Sequence, residues 1–157
     1  MHTSDALTIC REDLDSPVAL TLIDALDTEL FALYPEPGAN HFELDAQEVE
    51  GPNGAFLVAY VDGRPVGCGA VRCIGEGAAE VKRMYVRPDA RSRGLGRALL
   101  GELESIAREL GAERLVLETG GRQDEAMALY RGAGFAPIER FGRYSGSPLS
   151  LCFGKPL

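Results

Sequence analysis

Two periods of hydrophobicity alternate along the chain, and together they predict a mixed α/β fold. Apolar residues recur at helical spacing in three segments, which predicts helices over residues 15–34, 94–111 and 123–135. Short apolar runs bounded by turn residues predict strands. The predicted strands cover residues 7–12, 55–73 (a hairpin), 79–88 and 114–119, with two more near 136–141 and 149–154. Residues 35–54 form a long, turn-rich connection with room for one short helix.

Local signals mark where these elements begin and end. Asp15 or Ser16 can cap the first helix, and Pro17 suits its first turn. Asp62 and Gly63 supply the positive φ angles that a tight hairpin turn requires. Gly111 is placed to end the second helix.

The order of the elements predicts one domain of the α/β class over residues 1–157. There is no internal repeat, linker or low-complexity segment in the sequence. Residues 79–119 form a strand–helix–strand unit. The first arm of the hairpin and the strand at 114–119 are continuous apolar runs, which predicts that both lie inside the sheet.

Composition and charge narrow the range of functions. The 157 residues carry a formal net charge of −8, which argues against general binding to nucleic acid or to an anionic membrane. No apolar stretch approaches the ~20 residues of a membrane span, and the N-terminus lacks the pattern of a signal peptide. We therefore expect a cytoplasmic protein.

Cysteine and histidine usage predicts no metal site. The cysteines at positions 10, 68, 73 and 152 form no CxxC pair, and the histidines stand only at positions 2 and 41. A zinc site needs ligands clustered at closer spacing. We expect reduced thiols that pack as small apolar residues.

Basic residues cluster, against this acidic background, where the strand near residue 80 leads into the second helix. Six cations accompany one acid, Asp89; they are Lys82, Arg83, Arg87, Arg91, Arg93 and Arg97. Gly94 and Gly96 stand where the loop becomes a helix. The first N–H groups of a helix lack internal partners, and residues without Cβ let an anion approach them. A charge run alone is typical of a solvated face, but together with these glycines it predicts a pyrophosphate site.

Two nucleotide-binding motifs are absent from this segment. There is no G-x-x-x-x-G-K-[ST] sequence, which excludes a P-loop. The G-x-G-x-x-G fingerprint fails because Leu99 stands in place of its last glycine.

The stretch AEVKRMYVRPDARSRGLGRALL resembles the acetyl-CoA-binding segment of the GNAT acetyltransferase superfamily. The loop of that family reads Q/R-x-x-G-x-G/A, which residues 91–96 match in full. LYRGAGF, at residues 129–135, matches a second motif of the family, LYxxxGF. The resemblance extends over about residues 55–135. It implies a central, mostly antiparallel sheet with one splayed parallel strand pair, flanked by helices.

The resemblance also implies which residues bind the co-substrate, acetyl-CoA. Backbone amides of residues 91–96 would bind its pyrophosphate, and the strand around Met84 would pair with its pantetheine arm. A bulge is expected near Met84, and the strands at 80–86 and 114–118 would splay to admit the thioester. The implied coenzyme-binding residues are Met84, Tyr85, Val86, Arg91, Ser92, Arg93, Gly94, Leu95, Gly96 and Arg97.

The implied reaction is direct attack of an amine on acetyl-CoA. Glu80 stands at the position of the general base in the family, although it could instead be only a polar residue at the start of a strand. Glu118, on the neighbouring strand, is the competing candidate for the base. Tyr130 stands at the acid position, where a helix aromatic could also simply fill the core. The candidates for contact with the acceptor are Tyr34, His41, Arg72, Glu118 and Tyr144, most of which could be ordinary surface residues.

We therefore predict an acetyl-CoA-dependent N-acetyltransferase that acts on a primary amine of a small molecule. The alternative acceptor is a protein N-terminus or a lysine side chain. The alternative class of protein is a non-catalytic module that binds acyl-CoA. A homodimer is possible. The connection at 34–50 should border the amine site, together with the turn at 141–148. Its carboxylates, with no lysine or arginine, are Glu36, Glu43, Asp45, Glu48 and Glu50. We therefore expect an acceptor with a net positive charge or none.

Overall fold

Helices and strands follow one another as predicted in this computed structural model, which describes residues 6–36 and 44–157. The strands are β1 (Leu7–Arg11), β2 (Gly54–Val61), β3 (Arg64–Gly75), β4 (Ala78–Val86), β5 (Arg114–Gly120), β6 (Ala136–Ile138) and β7 (Ser150–Pro156). The helices are α1 (Pro17–Leu33), α2 (Leu95–Glu109) and α3 (Asp124–Gly132). Short 3₁₀ helices lie at Ala46–Val49, Gly51–Asn53, Pro88–Ala90 and Gly142–Gly146.

The predicted caps and turns are confirmed. Ser16 is the residue that caps α1, because its hydroxyl accepts the Ala19 N–H at 3.1 Å, and Pro17 is the first helical residue. Asp62 and Gly63 have φ angles of 50° and 80°, as the turn between β2 and β3 requires. Gly111 has a φ of 89° just after α2, the left-handed conformation that ends a helix.

The sheet has the order β1-β2-β3-β4-β5-β7-β6. Only β4 and β5 pair in parallel; the other neighbours are antiparallel, and β2 and β5 lie inside the sheet as predicted. The strand predicted near 136–141 is shorter, because pairing with β7 ends at Ile138. The Arg140 side chain then donates hydrogen bonds to two backbone carbonyls in place of the ladder.

Each face of the sheet has its own apolar core. On one face α2 buries Leu99 and Leu103 completely, against Leu117 and Phe153 among others. On the other face, Leu22 and Leu26 of α1 pack with Phe56 and its neighbours. Truncation of a fully buried leucine to alanine costs about 2–5 kcal/mol, so these two cores hold the helices firmly on the sheet.

β4 and β5 separate at their carboxyl ends. Their parallel pairing ends at Val81 with Leu117. A bulge follows in β4, because Cys68 pairs with Tyr85 while Ala70 pairs with Lys82. Arg83, in the bulge, has a φ of 59°. The expected bulge near Met84 and the expected splayed pair are thus both present, and a gap opens between the two strands.

Candidate active site

Two cavities adjoin the gap between β4 and β5. The larger, of about 710 Å³, lies between α1, the end of β4, the start of α2 and α3. The smaller, of about 90 Å³, lies between α1, β4, β5 and the segment around Tyr144. Met84 of β4 and Tyr130 of α3 line both cavities. Leu26, Leu30 and Gln123 also line both, so the two cavities meet along a shared wall that includes Met84 and Tyr130.

The start of α2 forms one wall of the larger cavity. Ser92 and Gly94 both have left-handed backbone conformations, with φ of 65° and 78°. The N-cap residue of α2 is Gly94, and within residues 6–36 and 44–157 no side chain caps the N–H groups of its first turn. Ser92, Gly94, Leu95, Gly96 and Arg97 line the cavity. Uncapped N–H groups at the positive end of a helix are suited to bind an anion.

The two glycines of the loop serve different purposes. A Cβ added at Gly94 would meet no atom within 4 Å, so the residue is required for its φ and leaves the cavity open. A Cβ at Gly96 would lie 3.1 Å from the Leu129 side chain. Gly94 therefore leaves open space for an anion, whereas Gly96 allows α2 to pack closely against α3.

Arg91 ties the loop to the rest of the fold. Its guanidinium donates to the Val86 carbonyl at 2.8 Å and to both oxygens of Glu29 on α1, at 2.7 and 2.9 Å. Arg93 and Arg97 are exposed. Met84, Tyr85 and Val86 line the larger cavity, as does Arg91; Arg93 does not.

Tyr34, at the end of α1, is buried rather than exposed on the surface. Its hydroxyl accepts the Arg122 N–H at 3.0 Å. Gly120 of β5 lies so close to the ring that a Cβ there would collide with it. Tyr34 therefore fixes the wall of the smaller cavity where β5 ends.

Glu80 lies in a buried polar network and lines neither cavity. It is 1% exposed, with one oxygen 2.8 Å from Arg72 and the other accepting the Tyr144 hydroxyl at 2.6 Å. Arg72 also pairs with Glu48. Arg72, a candidate for a substrate carboxylate, is thus held between two protein carboxylates.

Lys82 is a site residue that sequence reasoning missed. It is 7% exposed, lines the smaller cavity, and its ammonium donates to the Tyr144 hydroxyl at 3.3 Å. Burial lowers the pKa of Lys82, and the negative charge of Glu80 partly opposes that effect. The signal was its spacing of two from Glu80, which places both side chains on one face of a strand. A bulge was expected near Met84, however, and a bulge makes the alternation of side chains between the two faces unreliable.

Glu118 and Tyr130 both line the smaller cavity. Glu118 accepts the Ser150 hydroxyl at 2.6 Å. Tyr130 is 6% exposed, and no other described residue hydrogen-bonds its hydroxyl. Burial, and then the charge of Glu118, raise the pKa of Tyr130, so the hydroxyl stays protonated at neutral pH. Thr119, also on this cavity, has a buried hydroxyl without a partner among the described residues.

The connection at 34–50, predicted to give the amine site an acidic border, has part of its negative charge neutralised by arginines. Glu36 pairs with Arg122 at 2.6 Å, and Glu48 pairs with Arg72. His41 and Glu43 lie outside the described residues. In the described residues, no helix is long and apolar enough to cross a membrane, and no three metal-ligating side chains cluster.

Comparison with known proteins gives similarity along nearly the whole chain. A family model described as "Acetyltransferase (GNAT) family" matches residues 20–135. An "IAA acetyltransferase" of Azospirillum brasilense is 46% identical over 152 residues, covering 96% of this chain and 98% of that protein.

Solved structures show the same architecture. A candidate acyl-CoA N-acyltransferase of Klebsiella pneumoniae is 34% identical with a TM-score of 0.83, covering 96% of this chain and 97% of that chain. A GNAT family acetyltransferase of Elizabethkingia anophelis, solved with acetyl-CoA bound, has a TM-score of 0.70 at 18% identity. It covers 98% of this chain and 100% of that chain, and at this identity it shares the fold alone.

Proposed function

The chain belongs to the acetyltransferase (GNAT) family, and from that premise we propose that it transfers the acetyl group of acetyl-CoA directly to a primary amine of a small molecule. The observation that carries this proposal is the meeting of the two cavities at Met84 and Tyr130. A thioester in the larger cavity and an amine in the smaller one would meet there. Proximity of this kind can supply much of the rate enhancement in a bimolecular reaction.

The larger cavity has the features that acetyl-CoA requires. The uncapped N–H groups of residues 94–97 would bind the pyrophosphate, with Gly94 leaving the approach open. Beyond Val81, the edge of β4 that faces β5 is not paired with that strand. Its backbone donors and acceptors can therefore bond the pantetheine amides as a further strand would. Acetyl-CoA supplies the activated acetyl group when bound.

Glu118 is the base that the geometry supports better. An alkyl ammonium has a pKa of about 10.4, so the acceptor must lose a proton before it attacks. Glu118 lines the smaller cavity, whereas Glu80 lines neither cavity. Glu80 remains the second candidate, because Tyr144 connects it to the cavity and a water could complete the path.

Tyr130 would stabilise the departing thiolate. As the amine nitrogen bonds to the acetyl carbon, the C–S bond breaks and its electron pair goes to sulfur. Tyr130 lines both cavities, and its neutral hydroxyl can donate a hydrogen bond to that sulfur. Its raised pKa keeps Tyr130 a hydrogen-bond donor but makes it a weaker acid, so its proposed role is to stabilise the thiolate by a hydrogen bond.

A cytoplasmic location fits the cysteines. All four are free, as expected for a reducing compartment, and we propose that the protein works there.

A thiol-release assay with acetyl-CoA across a panel of amines tests the proposed function. We expect release of free CoA that depends on the added amine, together with a product heavier by one acetyl group in mass spectrometry. Binding of acetyl-CoA without release in the presence of any amine would favour the non-catalytic acyl-CoA-binding module. Release only with peptides would favour a protein acceptor.

A further inference from the structure

Lys82 and Glu118 stand on either side of the gap between the two parallel strands. They are the first residues beyond Val81 and Leu117, the last pair that joins β4 to β5. Both line the smaller cavity. The Lys82 side chain is buried and Glu118 is half-buried. The cavity thus has a cation on one strand and a carboxylate on the other.

We propose that the acceptor is a small zwitterion of the amino-acid class, in which Lys82 binds the carboxylate and Glu118 faces the amine. This inference rests on the proposed function and specifies its substrate. The amine and the carboxylate of an amino acid are separated by one carbon, so the molecule can present its two charges to two adjacent strands. Two oppositely charged contacts would also orient the nitrogen toward Tyr130, where the cavities meet.

The surroundings of Lys82 favour a bound anion. The Tyr144 hydroxyl, 3.3 Å from the ammonium, and the Tyr144 ring, 5.9 Å away, hold it at the cavity wall. Tyr144 is itself fixed by its hydrogen bond to Glu80. Burial makes the charged form of Lys82 costly, as the lowered pKa indicates. A substrate carboxylate would offset that cost, because charge-assisted hydrogen bonds strengthen in a low-dielectric pocket.

Three other charged residues near the cavity form ion pairs within the protein. Arg83, which also lines the cavity, lies 2.8 Å from Asp27 of α1. Glu36 and Glu80 lie against Arg122 and Arg72. A diamine would bring its second cation toward Lys82, and a dicarboxylate would bring its second anion toward Glu118. For the part of the acceptor inside the cavity, the earlier expectation of a positive charge or none thus narrows to no net charge.

The size of the cavity limits how much of the acceptor it encloses. The cavity has a volume of about 90 Å³, enough for a few water molecules. That space suits an amine, one carbon and a carboxylate, with any side chain directed outward. A protein N-terminus has no carboxylate next to its amine, so it lacks the group that Lys82 would bind.

Matched pairs of acceptors test the inference. We would measure kcat/KM for glycine, alanine and methionine against their amides, which keep the amine and lose the carboxylate. The wild-type enzyme should prefer each acid by about tenfold or more, as expected for a hydrogen bond between charged groups. Amides have the less basic amine, so the chemical bias acts against the predicted result.

Substitution of Lys82 connects the preference to this side chain. Lys82→Met should reduce the preference to about threefold or less, and Lys82→Arg should retain part of it. Lys155→Met removes the only other lysine, which pairs with Glu104 away from the cavity, and should leave the preference unchanged. A preference that survives in Lys82→Met would overturn the inference.

The two levels of the account can fail separately. If the wild type acetylates amides as well as acids, the zwitterion inference is wrong and the acetyltransferase function stands. If no amine is acetylated by a protein that binds acetyl-CoA, the proposed function fails. Saturation-transfer NMR of the same pairs with CoA present then decides this inference. Selective binding of the acids that Lys82→Met abolishes would support it, and equal or absent binding would contradict it.

Discussion

The Tyr144 hydroxyl donates a 2.6 Å hydrogen bond to the carboxylate of Glu80, and both residues are almost completely buried. Burial and the neighbouring carboxylate raise the pKa of Tyr144, so the phenol stays a donor at neutral pH. This contact joins the segment after β6 to the centre of the sheet. It also holds the Tyr144 hydroxyl where that hydroxyl accepts a hydrogen bond from the Lys82 ammonium.

Removal of the Tyr144 hydroxyl should destabilise the fold. Tyr144→Phe leaves one oxygen of a buried carboxylate without its donor, which should lower the free energy of unfolding by about 1–3 kcal/mol. Tyr60→Phe is a matched control, because the Tyr60 hydroxyl bonds the half-buried Glu12 and its loss should cost less. Urea denaturation measures both. Equal losses in the two variants would contradict the account.

Lys82 should give the stability a distinct pH dependence. Its pKa is lowered in the folded protein, whereas the unfolded chain has the ordinary value of about 10.4. Between these two values the unfolded state binds more protons, so folding is favoured as the pH rises through that window. Wild type should therefore gain stability relative to Lys82→Met as the pH rises from the lowered pKa of Lys82 toward 10.5. Thermal unfolding at several pH values measures this difference, and a constant difference would argue against a lowered pKa.

The variants Glu118→Gln and Glu80→Gln should differ in how their kcat/KM depends on pH. Glu118→Gln should depress kcat/KM most near neutral pH and least above about pH 9, where the amine deprotonates unaided. Glu80→Gln should give a loss that does not depend on pH, since it would act through Tyr144 and Lys82. The opposite pair of profiles would transfer the role of base to Glu80.

Gly94 should matter for acetyl-CoA through its backbone angle. Alanine at a φ of 78° costs about 1–2 kcal/mol, which corresponds to a 5- to 30-fold loss of affinity if binding must restore the conformation. Gly101→Ala, in α2 with open space around its Cβ, is the control and should leave binding unchanged. Calorimetric titration with acetyl-CoA measures both. Unchanged affinity in a folded Gly94→Ala would remove the loop from the proposed site.

The sequence predicted those parts of the fold that depend on contiguous residues. The helix periodicity, the cap at Ser16, the turn at Asp62 and Gly63 and the glycine loop before α2 are all local signals. Local chemistry decides such features, since the groups that interact are neighbours in the chain.

The acceptor side of the site could not be predicted in the same way. Glu48, Arg72, Glu80 and Tyr144 meet from four separate segments, so their pairing depends on tertiary packing. The exposure of Tyr34 and the acidity of the border were overestimated for that reason. The direction of a Cβ at Gly96 likewise depends on how α3 packs, which spacing does not reveal.

The most direct test of the account is the turnover of Tyr130→Phe, compared with its affinity for acetyl-CoA. Tyr130 lines both cavities, and this change keeps its buried ring and removes only its hydroxyl. With an accepted amine, kcat should fall about 10²- to 10⁴-fold while the Kd for acetyl-CoA stays within about twofold. Tyr60→Phe, outside both cavities, should keep wild-type kcat. A kcat of Tyr130→Phe within about threefold of wild type would contradict the proposal that transfer occurs at this hydroxyl.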